Sequence, residues 1–162
     1  MADADRLRLA LAQVNLLVGD VRGNLARVRQ EAAAARAAGA DLVLFPELTL
    51  CGYPPEDLLF HRGFRRHVEA ALAELATAEP GIGVLVGCPE YTDAGIFNSA
   101  VLFAAGRELA RHRKNLLPNY QVFDEKRYFR TGGEASVVEF RGWKLGLLIC
   151  EDIWEPEPAQ LA

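Results

Sequence analysis

Long apolar runs are missing from this sequence of 162 residues. No stretch approaches the roughly 20 apolar residues that a bilayer-spanning helix needs. The opening Met1-Ala-Asp-Ala-Asp-Arg6 is polar and acidic, where a signal peptide would be basic and then apolar. Cysteine is scarce. Cys51, Cys88 and Cys150 are odd in number, widely separated and share no close pair, which suggests neither a disulfide framework nor a zinc site. An excess of positive charge is also missing. A net charge of −4 offers no electrostatic footprint for nucleic acid or an anionic membrane. Internal repeats, low-complexity tracts and linkers are absent too. These absences predict a cytoplasmic protein in a reduced compartment, with no metal, no membrane and no nucleic-acid partner.

What is present suits a globular domain: 51% hydrophobic and 25% charged residues. The length predicts one domain, residues 1–162, large enough to bury a real core. Residues 7–14 read as a strand, and 24–38 as a helix capped by Asn24, with Gly39 past its end. The inward stripe of that helix is Leu25, Val28, Ala32 and Ala35. Residues 40–45 follow as a buried strand closed by Pro46, and the short connections favour a parallel pair. Gly52 and Pro54-Pro55 predict irregular chain over 49–60. A second helix near 64–78 carries Phe64, Val68, Ala71, Leu72 and Leu75 on one face, and 82–86 reads as a third core strand. Residues 98–104 and 108–114 pair about Ala105-Gly106, and 136–140 and 143–150 about Arg141-Gly142. The polar, aromatic stretch 116–131 receives no element. An α/β order followed by hairpins predicts a mixed sheet.

The pattern turns on residues 144–154. Here the apolar run 145–149 reads as a strand covered on both faces, and polarity then switches abruptly to Cys150, Glu151 and Asp152. Delivering a thiol to the polar edge of a buried strand is one way an α/β fold presents a nucleophile. The alternative is a small apolar residue that finishes a core strand. Glu47 and Lys114 likewise follow apolar stretches, and ligand sites gather at the carboxyl ends of strands. Each has a plainer reading: Glu47 as a solvated loop charge, Lys114 as part of a basic surface strand. Alternation puts Arg113 and Lys114 on opposite faces, so one basic side chain points inward and needs a partner, for which Glu47 is available.

Together the three make coherent chemistry. A free thiol, with a pKa near ~8.5, needs a base. Glu47 can take its proton and return it to a leaving amine. Lys114 and the backbone N–H of Glu151, just after Cys150, can stabilise an oxyanion. Attack on a carbonyl then gives a thioester that water hydrolyses.

The stretches Leu42-Val-Leu-Phe-Pro-Glu47, Lys114-Asn-Leu-Leu-Pro118 and Leu147-Leu-Ile-Cys-Glu-Asp152 resemble, in order, motifs of the nitrilase superfamily of carbon–nitrogen hydrolases. That family's Glu-Lys-Cys set falls here on Glu47, Lys114 and Cys150. Cys51-Gly-Tyr-Pro-Pro-Glu-Asp-Leu58, Pro118-Asn-Tyr-Gln-Val-Phe-Asp-Glu-Lys-Arg-Tyr-Phe129 and Cys150-Glu-Asp-Ile-Trp154 look most like one branch, the glutamine-hydrolysing domains of glutamine-dependent NAD synthetases. The resemblance implies an α/β (α+β) fold, the four-layer α-β-β-α sandwich, and an amidase releasing ammonia from L-glutamine. It puts a supporting glutamate on Glu125, with a charged surface cluster as the plainer reading, and a substrate-side tyrosine on Tyr120, with a packed aromatic as the plainer reading. Cys51 and Cys88 match no catalytic position. The resemblance implies no cofactor in this domain. ATP and magnesium belong to a separate synthetase domain that accepts the ammonia to amidate nicotinic acid adenine dinucleotide.

Members of that family continue well past the nucleophile, so the expectation is a chain truncated at its C-terminus, with apolar surface that favours a homo-oligomer. Two rival readings remain open. One is a stand-alone amidase, ω-amidase or N-carbamoyl hydrolase using the same three residues. The other is a non-catalytic truncated paralogue serving as an assembly module.

Overall fold

The structure, a computed structural model, describes residues 6–78 and 81–161. Among them a five-stranded sheet runs in the order β1 (Leu9–Leu11), β2 (Leu42–Leu44), β3 (Gly83–Thr92), β4 (Gly95–Ala104) and β5 (Arg107–Arg113). The first three strands are mutually parallel and the last three antiparallel, so the sheet is mixed. Helices α1 (Val21–Ala37) and α2 (Arg62–Thr77) make the crossovers between the parallel strands.

Period-2 alternation divides the strand side chains between two cores. Val43, Val84, Val86, Val101 and Phe103 face the helices, meeting Leu25, Val28 and Ala32 of α1 and Phe64, Val68 and Leu75 of α2. Leu42 and Leu102 face the other way and pack with Phe140 of a second sheet, the hairpin β6 (Ser136–Phe140) and β7 (Trp143–Leu147). The described residues therefore stack helix, sheet and sheet, three of the four layers expected. Two short helices complete the chain, α3 (Glu125–Tyr128) and α4 (Pro156–Leu161).

The differences from the sequence reading have local causes. Helix α1 starts three residues before Asn24, and Asp20 is its cap, accepting the Gly23 N–H at 2.9 Å. Asn24 is buried instead, exchanging hydrogen bonds with the Leu17 peptide at 3.1 and 2.9 Å. The segment expected to be irregular over 49–60 includes a 3-10 helix, Glu56–Phe60. Strand β3 continues well past Val86 through Pro89. Its ladder with β2 ends at Leu85 and the Leu50 N–H caps the Gly87 carbonyl beyond it, so no strand pairs with that edge at Pro89 and a residue without an N–H is tolerated. The largest change falls on the run 145–149. Strand β7 stops at Leu147, and Gly146 is exposed where Leu147 and Ile149 are buried. A two-stranded sheet with one packed face buries every second residue, not the whole run.

Candidate active site

Three chain turns converge where β2, β5 and β7 end. Beyond β2, the loop carrying Glu47 is folded tightly. Leu48 adopts a left-handed φ of 50°, and the Thr49 hydroxyl donates back to the Pro46 carbonyl. That loop lies directly on β3. A Cβ built at Gly87 would stand 2.3 Å from the Leu48 nitrogen, so glycine is the residue that lets the Glu47 loop approach the sheet. Lys114 follows β5 by one residue, and its backbone pairs with Asn98 on one side and Gly132 on the other. Cys150 lies three residues beyond β7, at the start of a 3-10 helix, Cys150–Ile153, with a φ of 47°. A left-handed conformation costs a non-glycine residue roughly 1–2 kcal/mol, and here it turns the thiol out of the strand line.

The side chains meet. Lys114 is completely buried, and its Nζ donates to Glu47 Oε1 at 2.7 Å and to Glu125 Oε1 and Oε2 at 3.0 and 2.9 Å. Burial alone would favour the neutral amine, but the two carboxylates outweigh it and hold the ammonium protonated. Glu125 is buried too. Desolvation first, then the nearby Glu47 charge, raise its pKa, with Lys114 and Tyr53 pulling the other way. Cys150 is an exposed residue, and its thiol feels both the Glu47 and the Lys114 charge. Partial desolvation and the Glu47 charge push its pKa up, and Lys114 opposes them. The resting group is therefore a protonated thiol beside a carboxylate, the arrangement in which a base can act.

Tyr120 lies at the outer side of this cluster. It is 42% exposed, its hydroxyl donates to the Glu151 carboxylate at 3.1 and 3.0 Å, and its ring meets Phe123 edge-on. The Glu151 peptide is in the first turn of the 3-10 helix, where N–H groups lack an intrahelical partner. On the Glu125 side a cavity of about 280 Å³ is lined by Tyr53, Pro54, Glu125, Tyr128 and other residues of the 53–57 and 122–129 segments. Cys51 and Cys88 are fully buried, and burial raises the pKa of both thiols, that of Cys88 to about 12.

Two contacts had no counterpart in the sequence reading. Asn98, buried on β4, donates to Glu47 Oε1 at 2.6 Å, and Tyr53 donates to Glu125 Oε1 at 3.0 Å. Their partners are 51 and 72 residues away, so no local spacing announces them. Among the described residues no group of three His, Cys, Asp or Glu side chains could hold a metal ion, and no helix is long and apolar enough to cross a membrane.

Comparison with known proteins gives a consistent picture. The family model for carbon–nitrogen hydrolases matches residues 8–161. A glutamine-dependent NAD(+) synthetase of Xanthomonas campestris pv. campestris is 48% identical over 158 residues, covering 96% of this chain and 29% of its own length. The solved glutamine-dependent NAD+ synthetase of Acinetobacter baumannii, in complex with ADP, superposes with a TM-score of 0.90 at 38% identity, over 95% of this chain and 29% of that one. An amidase from Nesterenkonia sp. AN1, a mutant with acrylamide added at its active-site cysteine, superposes with a TM-score of 0.87 at 29% identity, over 97% of this chain and 62% of that one. The chain thus spans less than a third of the length of the synthetases it matches.

Proposed function

The chain belongs to the carbon–nitrogen hydrolase family, and from that premise we propose that it is the glutamine-hydrolysing part of a glutamine-dependent NAD synthetase. Cys150 is the nucleophile. Glu47 accepts the thiol proton as sulfur attacks the side-chain amide carbon of L-glutamine. The oxyanion is met by the Lys114 ammonium and the Glu151 N–H. Glu47 then returns the proton to the amide nitrogen, ammonia leaves, and a thioester remains. Glu47 next deprotonates the water that attacks this thioester, and glutamate departs as the thiol is restored. Glu125 holds Lys114 charged and aimed, and Tyr120 borders the substrate entrance.

The observation that carries the reading is the buried Lys114 ammonium shared by Glu47 and Glu125, with the Cys150 thiol in the field of the same three groups. The similarity to NAD synthetases over most of this chain supports glutamine as the amide. The ammonia would pass to a synthetase domain outside this chain, and the ATP and magnesium requirement belongs there. The setting is the reduced cytoplasm, which keeps the thiol free. Similarity to the Nesterenkonia amidase favours a second reading, a stand-alone amidase with the same machinery.

Labelling with a diazo-ketone glutamine analogue, read by intact mass, tests this. One adduct on Cys150, lost in Cys150→Ala and blocked by L-glutamine, is the expected outcome. An adduct on Cys150 that glutamine cannot block would replace glutamine by another amide. Labelling that persists in Cys150→Ala would overturn the nucleophile itself.

A further inference from the structure

Asp152 stands two residues beyond the thiol, fully buried, and makes none of the contacts described among Glu47, Lys114, Glu125 and Cys150. Both of its carboxylate oxygens are nevertheless engaged. Oδ1 accepts the N–H groups of Asn115 at 2.9 Å and Leu116 at 2.8 Å. Oδ2 accepts the Ile149 N–H at 3.0 Å and faces His112 Nε2 at 2.9 Å. His112 is itself fully buried on β5, with its Nδ1 3.2 Å from the Ser136 hydroxyl at the start of β6. Burial works against the charged carboxylate, but the histidine and the three peptide donors prevail and hold its pKa below the usual range.

A residue that merely capped the turn would need the local bond to Ile149. Asp152 instead directs its other contacts to partners 36 to 40 positions away. Those partners bracket Lys114: His112 two residues before it, Asn115 and Leu116 immediately after. The local bond ends on Ile149, the residue before Cys150. One buried carboxylate therefore joins the peptide next to the ammonium to the peptide next to the thiol, across two separate sheets. A carboxylate bonded to three N–H groups is a rigid joint, because each bond fixes a direction as well as a distance.

We propose that Asp152, braced by His112, is a positioning residue that sets the approach of the Cys150 thiol to the Lys114 ammonium. The inference rests on the reading of Glu47, Lys114 and Cys150 as the reacting set, and adds a residue that does not touch substrate.

Two labels of the whole chain separate positioning from mere folding. Iodoacetamide, compared at a pH that ionises the thiol in every variant, needs only an accessible sulfur, whereas the diazo-ketone glutamine analogue also needs the surrounding charges in place. In Asp152→Asn, the analogue should label Cys150 about tenfold or more slowly, the scale expected of a small misplacement, while the iodoacetamide rate stays within about twofold. His112→Leu should give the same split. His112→Gln, which returns an N–H donor near the Nε2 position, should restore analogue labelling. Folded Asp152→Asn and His112→Leu proteins that react with the analogue at the unmodified rate would overturn the proposal. So would a parallel fall in both labels together with a lowered Tm, the mark of a purely structural role. If Asp152→Asn does not fold, the His112→Leu and His112→Gln pair decides. Failure of the underlying reading is recognised separately, as analogue labelling of the unmodified chain at a residue other than Cys150.

Discussion

The two sheets contribute to the site on unequal terms. The five-stranded sheet and the loops leaving it supply a buried ammonium, two carboxylates and the Asn98 amide, tied by bonds of 2.6 to 3.0 Å. The two-stranded sheet supplies the thiol, on an exposed residue held in a left-handed turn. Charge gains strength when water is excluded, so the ionic half must be enclosed. A nucleophile, the role proposed for Cys150, must be reached by its substrate, so the sulfur half must stay open. The fold meets both demands by building the halves on different sheets and pinning one to the other.

The most severe way to break this contrast is to unpair the enclosed half. Lys114→Met should lower analogue labelling of Cys150 by about 10²–10³-fold. It should also cost about 3–5 kcal/mol in urea unfolding, since the buried Glu125 and the partly buried Glu47 would lose their cation. An unaltered unfolding midpoint would show the ion pairs to be dispensable. Next comes the choice of carboxylate. Glu47→Gln should abolish adduct formation and Glu125→Gln chiefly slow turnover, because Glu47 is the proposed base and its charge acts on the thiol more strongly than that of Glu125. Equal losses would contradict that division of roles.

A smaller effect follows from moving the base without altering any charge. Gly87→Ala forces a Cβ against the Leu48 nitrogen, so the Glu47 loop must shift, and labelling should fall about a hundredfold. The pH dependence of the joint between the halves is milder. The pKa of Asp152 is lower in the folded chain than in the unfolded one, so it stabilises above the ordinary carboxylate value, and that contribution is lost as pH falls through the folded value. The unfolding free energy of the unmodified chain, minus that of Asp152→Asn, should therefore shrink in acid. A difference that widens on acidification would reverse the sign. At the bottom of the scale, Arg65→Ala breaks a half-exposed pair with Glu69 and should change stability by less than about 0.5 kcal/mol, with labelling untouched.

Much of this arrangement was readable from the chain. The α1 stripe, both expected hairpins, the mixed sheet and the ends of the strands carrying Glu47 and Lys114 follow from periodicity, because the packed faces are continuous along the sequence. Alternation put at least one of Arg113 and Lys114 inward in need of a partner; the structure shows Lys114 to be buried and gives it two carboxylate partners. Other features left no local trace. Helix α3 is four residues long, too short for any period to register. Asn24 has the chemistry of a cap, but burial drew its amide to the Leu17 peptide and left the capping to Asp20. Asn98 and Tyr53 look like ordinary strand and loop residues until tertiary structure brings Glu47 and Glu125 to them. The run 145–149 misled because apolar continuity predicts cover on both faces, and β7 has cover on only one.

Two carboxylates around one ammonium leave the floor of the pocket with surplus negative charge. For the hydrolysis proposed here, the reacting end of the substrate arrives as a neutral amide and leaves as an anion. The same surplus that tolerates the incoming group repels the outgoing one, so turnover carries its own means of clearing the product.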